Sequence, residues 1–499
     1  MNLEQAAAVM DTYEEAMQAY QQAMGILSVD GSTAAPKRSA EGRGKAMGFL
    51  SGEIYRRTMA PELKEALETV LQQRAAASPM LFRRAELLKQ DLDDMTCVPL
   101  EEYTAYQTLH VEAGAVWHEA KEKNDYAMFA PYLEKIIAYQ RRFAQLKDPD
   151  RPAYDVLLDT YEKGTCTAQL DPFFAVLRER LTPVVLAVKE KPEPETAFLH
   201  KLYPVHEQVL FSQKLMQVMG IDPDRCTLAE TEHPYTHGLN KWDVRITTKY
   251  RPHDVASSMY SVVHEGGHAL YELGVRDEYQ YTALQGGSTM GIHESQSRFY
   301  ENLIARSLPY CEGILPVMRE IWPEQLRGVT PEQLYAAVNL ARPSLVRTEA
   351  DELTYPMHIM IRYELEKRML AGEVTVAELP ALWNAMYRDY LGIEVPNDRD
   401  GVLQDIHWAD GLVGYFPSYA LGSAYGVQML REMEKTVPVW EACRKADLRP
   451  VTAWLGERIH QHGRMLEPQQ LLRNAMNAPF DPTVYTDYLT KKFTELYGL

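Results

Sequence analysis

Apolar residues recur at helical spacing along nearly all of the 499-residue chain, and only one stretch, WDVRITTKY at 242–250, reads convincingly as a strand. That imbalance restricts the chain to a mainly α-helical architecture with a small sheet near its middle. Met10, Tyr13, Met17, Tyr20 and Met24 alternate steps of three and four, so they form one packing stripe of a long helix. GSTAAPKRS breaks that pattern and a second helix starts around Glu41, which predicts a helical hairpin region within 1–75. Further helices are predicted near 61–75, 80–93, 100–124, 128–146, 171–190, 200–219, 331–341, 348–370, 376–391, 420–436 and 464–477. KPEPET at 191–196 reads as a surface connection, and with no internal repeat the expectation is a single helical domain over 1–499.

Composition excludes several classes. The net charge of −18 argues against a nucleic-acid binder, which needs a basic face for phosphates. Cys97, Cys166, Cys226, Cys311 and Cys443 are scattered and contain no CxxC pair, which argues against a disulfide framework or a thiolate metal site. No apolar run approaches the roughly 20 residues of a membrane span. The acidic, amphipathic start MNLEQAAAVMDTYEEAM lacks the character of a signal peptide, so no membrane partner and a cytoplasmic location are expected.

One helix carries a chemical pattern. Residues 261–274 read SVVHEGGHALYELG, with Asp254 placed to cap the start and Gly274 the end. His264 and His268, four apart, project from nearly the same side, and Glu265 follows the first of them. In this HExxH pattern two imidazoles share one zinc while the glutamate reaches a metal-bound water. Gly266 and Gly267 each cost such a helix about 1 kcal/mol relative to alanine, so something must require them. Zinc also needs a third protein ligand. The segment GIHESQSRFYENLIARS offers Glu294, with His293 and Glu301 as competitors, and Glu272 is a further carboxylate. Spacing alone does not choose among them.

Other stretches sharpen the pattern: His233-Pro234-Tyr235, Asp243-Val244-Arg245-Ile246-Thr247, His293-Glu294-Ser295-Gln296, Val346-Arg347-Thr348-Glu349-Ala350-Asp351, and Gly401-Val402-Leu403-Gln404-Asp405-Ile406-His407-Trp408. Taken in this order with His264-Glu265-Gly266-Gly267-His268, they resemble the thermostable (Taq-type) metallocarboxypeptidases, a family of zinc-dependent HExxH enzymes. The catalytic motifs then occupy 233–420. The family's HPF is HPY here and its IRxxAD begins with Val346; both changes keep the polar groups. The resemblance implies a helical peptidase with two lobes around a deep cleft, one Zn2+ per subunit with Co2+ able to substitute, and a homodimer. It implies peptide substrates with a free C-terminus, trimmed one residue at a time with broad specificity. Glu294 becomes the third ligand beside His264 and His268, and His293 an outer or substrate-contacting residue. The two glycines would leave room for another backbone or the substrate to pass close to the metal-bearing helix, with Gly266 the more replaceable.

The chemistry assigns further roles. Glu265 suits the general base. The oxyanion wants a donor, for which Tyr419, Tyr415 and His407 are candidates; likeness to related helical zinc peptidases puts Tyr419 foremost. A terminal carboxylate suits an arginine fork: the resemblance implies Arg347 first, against a simple i,i+4 pair with Asp351, with Arg245 second, against a pair with Asp243. His233 and Tyr415 are expected on the substrate side. Strand 242–250 is expected to line the cleft and hold an extended peptide, and Asp405 to orient a histidine. His110, His118, His358, His460 and His462 are read as structural or surface residues. Two other readings compete: an endo- or oligopeptidase on a similar scaffold, and a non-catalytic helical interaction protein whose HExxH is accidental.

Overall fold

A computed structural model describes residues Met1–Leu499. It is mainly α-helical with one three-stranded sheet, β1 (Cys226–Glu230), β2 (Thr236–Asn240) and β3 (Asp243–Thr248). The order is β1-β3-β2, with β1 parallel and β2 antiparallel to β3. The strand legible in the sequence is therefore the middle one. Both its edges are hydrogen-bonded, so β3 cannot hold a peptide by strand pairing, and that expectation is corrected. The edge strand beside the HExxH helix is β2. Val244 and Ile246 of β3 are fully buried in the main core, which fixes the sheet against that helix.

The HExxH helix, Val255–Gly274, starts where expected: the side chain of Asp254 accepts from Ser257 N at 3.2 Å. Val255, Val262, Val263, Ala269 and Leu270 bury nearly all round it, the behaviour of a helix inside a core. Gly274 does end the helix, but without a left-handed turn. A Cβ there would lie 2.5 Å from Cβ of His460, so close packing explains the glycine. The HESQ helix, Met290–Arg298, continues directly into a π-helical segment, Phe299–Ile304.

Most predicted helices form, with shifted ends. The one expected over 348–370 starts only at Tyr355, because Asp351 caps the preceding turn by accepting from Leu353 N and Thr354 N. Buried apolar residues fall into one cluster of 107, a separate one of eight, Ala6, Met10, Leu63, Ala66, Leu67, Val70, Ala85 and Leu92, and a third of four, in which Leu87 packs on Val275, Tyr279 and Leu284. The N-terminal helices thus carry their own small core. Polar contacts seat them on the rest: Ser32 Oγ to Tyr235 Oη at 2.6 Å, and Ala283 N to Glu14 Oε1 at 2.7 Å. They form one wall of a cleft whose other side is the 282–290 segment with Glu272 and His293. No helix is long and apolar enough to cross a membrane.

Candidate metal centre and active site

Glu294 meets the two histidines where the HExxH and HESQ helices cross. Nε2 of His268 lies 3.5 Å and Nε2 of His264 3.8 Å from Oε2 of Glu294, and the three ligand atoms all lie within 4.8 Å of one another. Atoms bound at roughly 2.0–2.2 Å to one tetrahedral zinc stand about 3.3–3.6 Å apart, and the two carboxylate–imidazole spacings lie near that range. The crossing is possible because of a glycine. A Cβ on Gly267 would stand 2.6 Å from the Gln296 carbonyl oxygen and 2.7 Å from Ser297 Cα. On its far side the HESQ helix meets Gly422 of the helix Pro417–Met433, where a Cβ would lie 2.8 Å from Cβ of Glu294. Gly266 faces only the flexible end of Met219 and Ile221.

Each candidate ligand is held from behind. Nδ1 of His264 is 2.8 Å from Oε2 of Glu301, and Nδ1 of His268 is 2.7 Å from Nδ1 of His293. Arg298 donates from Nε to Glu294 at 2.7 Å and also reaches Glu301 at 3.4 Å. Burial opposes ionisation of Glu301, yet Arg298, His264 and Arg306 outweigh it and hold its pKa near 2. Burial likewise opposes charge on His264, but Glu294 and Glu301 lift its pKa to about 9. One carboxylate and two histidine rings converge on one point, where Glu294 and Glu301 favour positive charge. Glu301 and Glu272, the rival carboxylates, each back a histidine and stand outside that point.

Glu265 lines a cavity of about 420 Å3 together with His268, Glu294, Tyr415, Ser418 and Tyr419. Its Oε2 accepts from Thr236 Oγ1 at 2.7 Å. Tyr415 and Tyr419 pack edge to face at 5.1 Å, and burial raises the pKa of both, so their hydroxyls stay protonated donors. His407 stacks on Phe416 at 4.5 Å, behind the two tyrosines; burial is the main cause that brings its pKa down to about 4, so the ring is neutral.

A family model described as Carboxypeptidase Taq (M32) metallopeptidase matches residues 9–493. The chain belongs to the carboxypeptidase Taq (M32) family. It is 38% identical over 482 residues to Carboxypeptidase 1 of Bacillus subtilis, covering 96% of each chain. It is 34% identical to Thermostable carboxypeptidase 1 of Thermus thermophilus, covering 96% of this chain and 97% of that one. The crystal structure of the M32 carboxypeptidase from Deinococcus radiodurans superposes with a TM-score of 0.95 at 34% identity, covering 98% and 99% of the two chains. This M32 chain is therefore a metallocarboxypeptidase, and a non-catalytic role for its HExxH helix is set aside.

In this M32 enzyme Arg347 is buried and makes no pair with Asp351. Its guanidinium donates to Asp405 at 2.9 Å and to Tyr355 Oη at 3.2 Å, and lies over the Tyr419 ring at 5.3 Å. Asp405 orients no histidine; it also accepts from Arg362 Nε at 2.8 Å. Gln404 joins the VRTEAD and GVLQDIHW motifs, its oxygen accepting from Arg347 N and Arg362 Nη2, each at 2.8 Å. Arg245 is half-buried on β3 and paired with Asp243, and His233 is exposed just before β2. Sequence reasoning passed over Thr236, Arg362 and the buried Glu366, which accepts from Trp408 Nε1 at 2.8 Å, Gly414 N at 2.9 Å and Tyr154 Oη at 2.9 Å. Of these only Thr236, next to the HPY motif, carried any local signal.

Proposed function

We propose that this metallocarboxypeptidase uses one zinc ion per subunit, held by Nε2 of His264, Nε2 of His268 and the carboxylate of Glu294, to remove single C-terminal amino acids from peptides with broad specificity. The observation that carries this is the convergence of those three groups beside Glu265 in one cavity. Zinc so bound would supply a Lewis acid for the scissile carbonyl and a lowered pKa for a water. With Thr236 holding Oε2, the other oxygen of Glu265 is left to take the water's proton and return it to the departing amine. Tyr419, with Tyr415 against it, donates to the oxygen that gains charge. Neutral His407 backs these tyrosines and can serve the same end.

The terminal carboxylate is assigned to Arg347. Arg347 and Arg362 share one Asp405, so the group carries one positive charge in excess, beside Tyr419. Arg245 and His233 then serve the outer part of the substrate path. Broad specificity accords with the adjoining section of cleft, about 710 Å3, whose lining mixes Leu199, Ala337 and Leu340 with His200, Arg306 and Thr348. Co2+ as a substitute metal, a homodimeric state, a cytoplasmic location and a single domain over 1–499 complete the proposal.

Metal analysis tests its base. Purified enzyme should hold one zinc per subunit, Glu294→Ala should lose it, and Glu301→Ala should retain most of it. A Glu301→Ala protein that is empty while Glu294→Ala stays loaded would reassign the third ligand.

A further inference from the structure

His293 has both ring nitrogens engaged inside the protein. Nδ1 lies 2.7 Å from Nδ1 of His268, and Nε2 lies 2.8 Å from Oε1 of Glu272. A contact between two Nδ1 atoms needs one donor and one acceptor. When His268 gives its Nε2 lone pair to a metal, the one proton of that neutral ring sits on Nδ1, so His268 donates and His293 accepts. Neutral His293 then carries its own proton on Nε2 and donates it to Glu272. An imidazolium at His293 would set two N–H groups against each other at 2.7 Å. Every proton from the metal outward to Glu272 is thereby fixed.

We propose that His293 and Glu272 are positioning residues: a carboxylate, relayed through one imidazole, that sets the tautomer and ring plane of His268. This rests on the reading of His268 as a metal ligand. The two ligand histidines are then supported differently, His264 by a carboxylate directly and His268 by one a ring further away.

The surroundings are shaped for this relay. A Cβ on Gly287 would lie 2.5 Å from Cδ2 of His293, and one on Gly238 would lie 2.9 Å from Oε2 of Glu272, so two glycines let the 286–288 loop and β2 close on the pair. Gly287 N donates to Oε1 of Glu272 at 3.2 Å, and the Tyr271 ring packs against His293 at 5.1 Å. His293 also borders the cleft, but with neither nitrogen free it has nothing polar to offer a substrate.

The test compares Zn2+ affinity, by chelator competition, with kcat and KM at saturating Zn2+. Loss of an outer partner of a ligand typically weakens metal binding 10- to 100-fold. His293→Leu should fall in that range with KM little changed. Glu272→Gln should lose less, and His293→Asn, whose oxygen can stand in for Nδ1, should recover part of the loss. Unchanged Zn2+ affinity with a raised KM in His293→Leu would overturn the relay and make His293 a substrate contact. Wild-type Zn2+ affinity in His268→Ala would instead bring down the ligand assignment beneath it. If the variants fail to fold, 15N-histidine NMR of the zinc-loaded wild type decides: His293 protonated on Nε2 alone supports the relay, and protonation on Nδ1 overturns it.

Discussion

Glu265 and Thr236 show how one side chain is prepared by another. The hydroxyl donates to Oε2 and ties the carboxylate to β2 at the edge of the cavity. Glu265→Gln keeps an oxygen for Thr236 and removes only the proton acceptor. It should retain zinc and fold while hydrolysis falls by at least the roughly 10²–10⁴-fold of a lost general base; turnover assays with parallel metal analysis check this, and wild-type turnover would remove Glu265 from the mechanism. Glu366 yields a pH prediction. Burial raises its pKa from an ordinary 4.5 to about 7, in spite of donors from Trp408, Gly414 and Tyr154. A folded pKa above the unfolded one gives stability that is whole below pH 4.5 and lost as pH rises through 7. The Tm advantage of wild type over Glu366→Gln should therefore shrink between pH 5 and pH 8. An advantage that grows with pH would mean the three donors favour the ionised form more than burial opposes it. Such residues were illegible beforehand. The candidate ligands and Glu265 sit in a local pattern with a fixed chemical meaning, whereas Glu366, Arg362 and the Arg347–Asp405 pair depend on partners far apart in sequence.

At the scale of elements, the glycines between the two histidines are not equivalent. Gly267 is where two helices touch backbone to backbone; Gly266 faces a methionine tip that can swing away. Alanine gains about 1 kcal/mol of helix propensity at either position. At Gly267 that gain is overwhelmed by overpacking of typically 1–3 kcal/mol or more, since no side chain can yield. Gly266→Ala should leave Tm and zinc content near wild type, and Gly267→Ala should lower both; thermal melts with metal analysis distinguish them, and equal tolerance would contradict the crossing described. Helices were legible because their stripes repeat over many turns. The Met and Tyr stripe of the first helix is buried at Met10 and Met17 and only partly covered at Tyr20 and Met24. Strands β1 and β2 escaped notice because CTLAE and THGLN are five residues long and lack a sustained alternation. The helix Pro482–Tyr497 was missed although Asp481 caps it and Tyr485, Leu489 and Phe493 recur every four residues.

For the whole molecule, the main core carries the HExxH and HESQ helices, and the N-terminal helices with their separate small core wall the cleft from the other side. A charge of −18 on such a body leaves its affinity for substrate carboxylates to local features, and the excess positive charge at Arg347, Arg362 and Asp405 is the feature assigned to that task. The central claim is that a free C-terminus fixes the scissile bond one residue from the end. The most direct measurement follows, by mass spectrometry, the products that zinc-loaded enzyme makes from one peptide supplied as the free acid and as the C-terminal amide. A charge-assisted hydrogen bond is worth roughly 1.5–3 kcal/mol, so kcat/KM for the amide should fall about 10- to 150-fold, and the free acid should shorten by single residues in succession. Internal fragments, or an amide cleaved as readily as the acid, would contradict the account and favour an oligopeptidase.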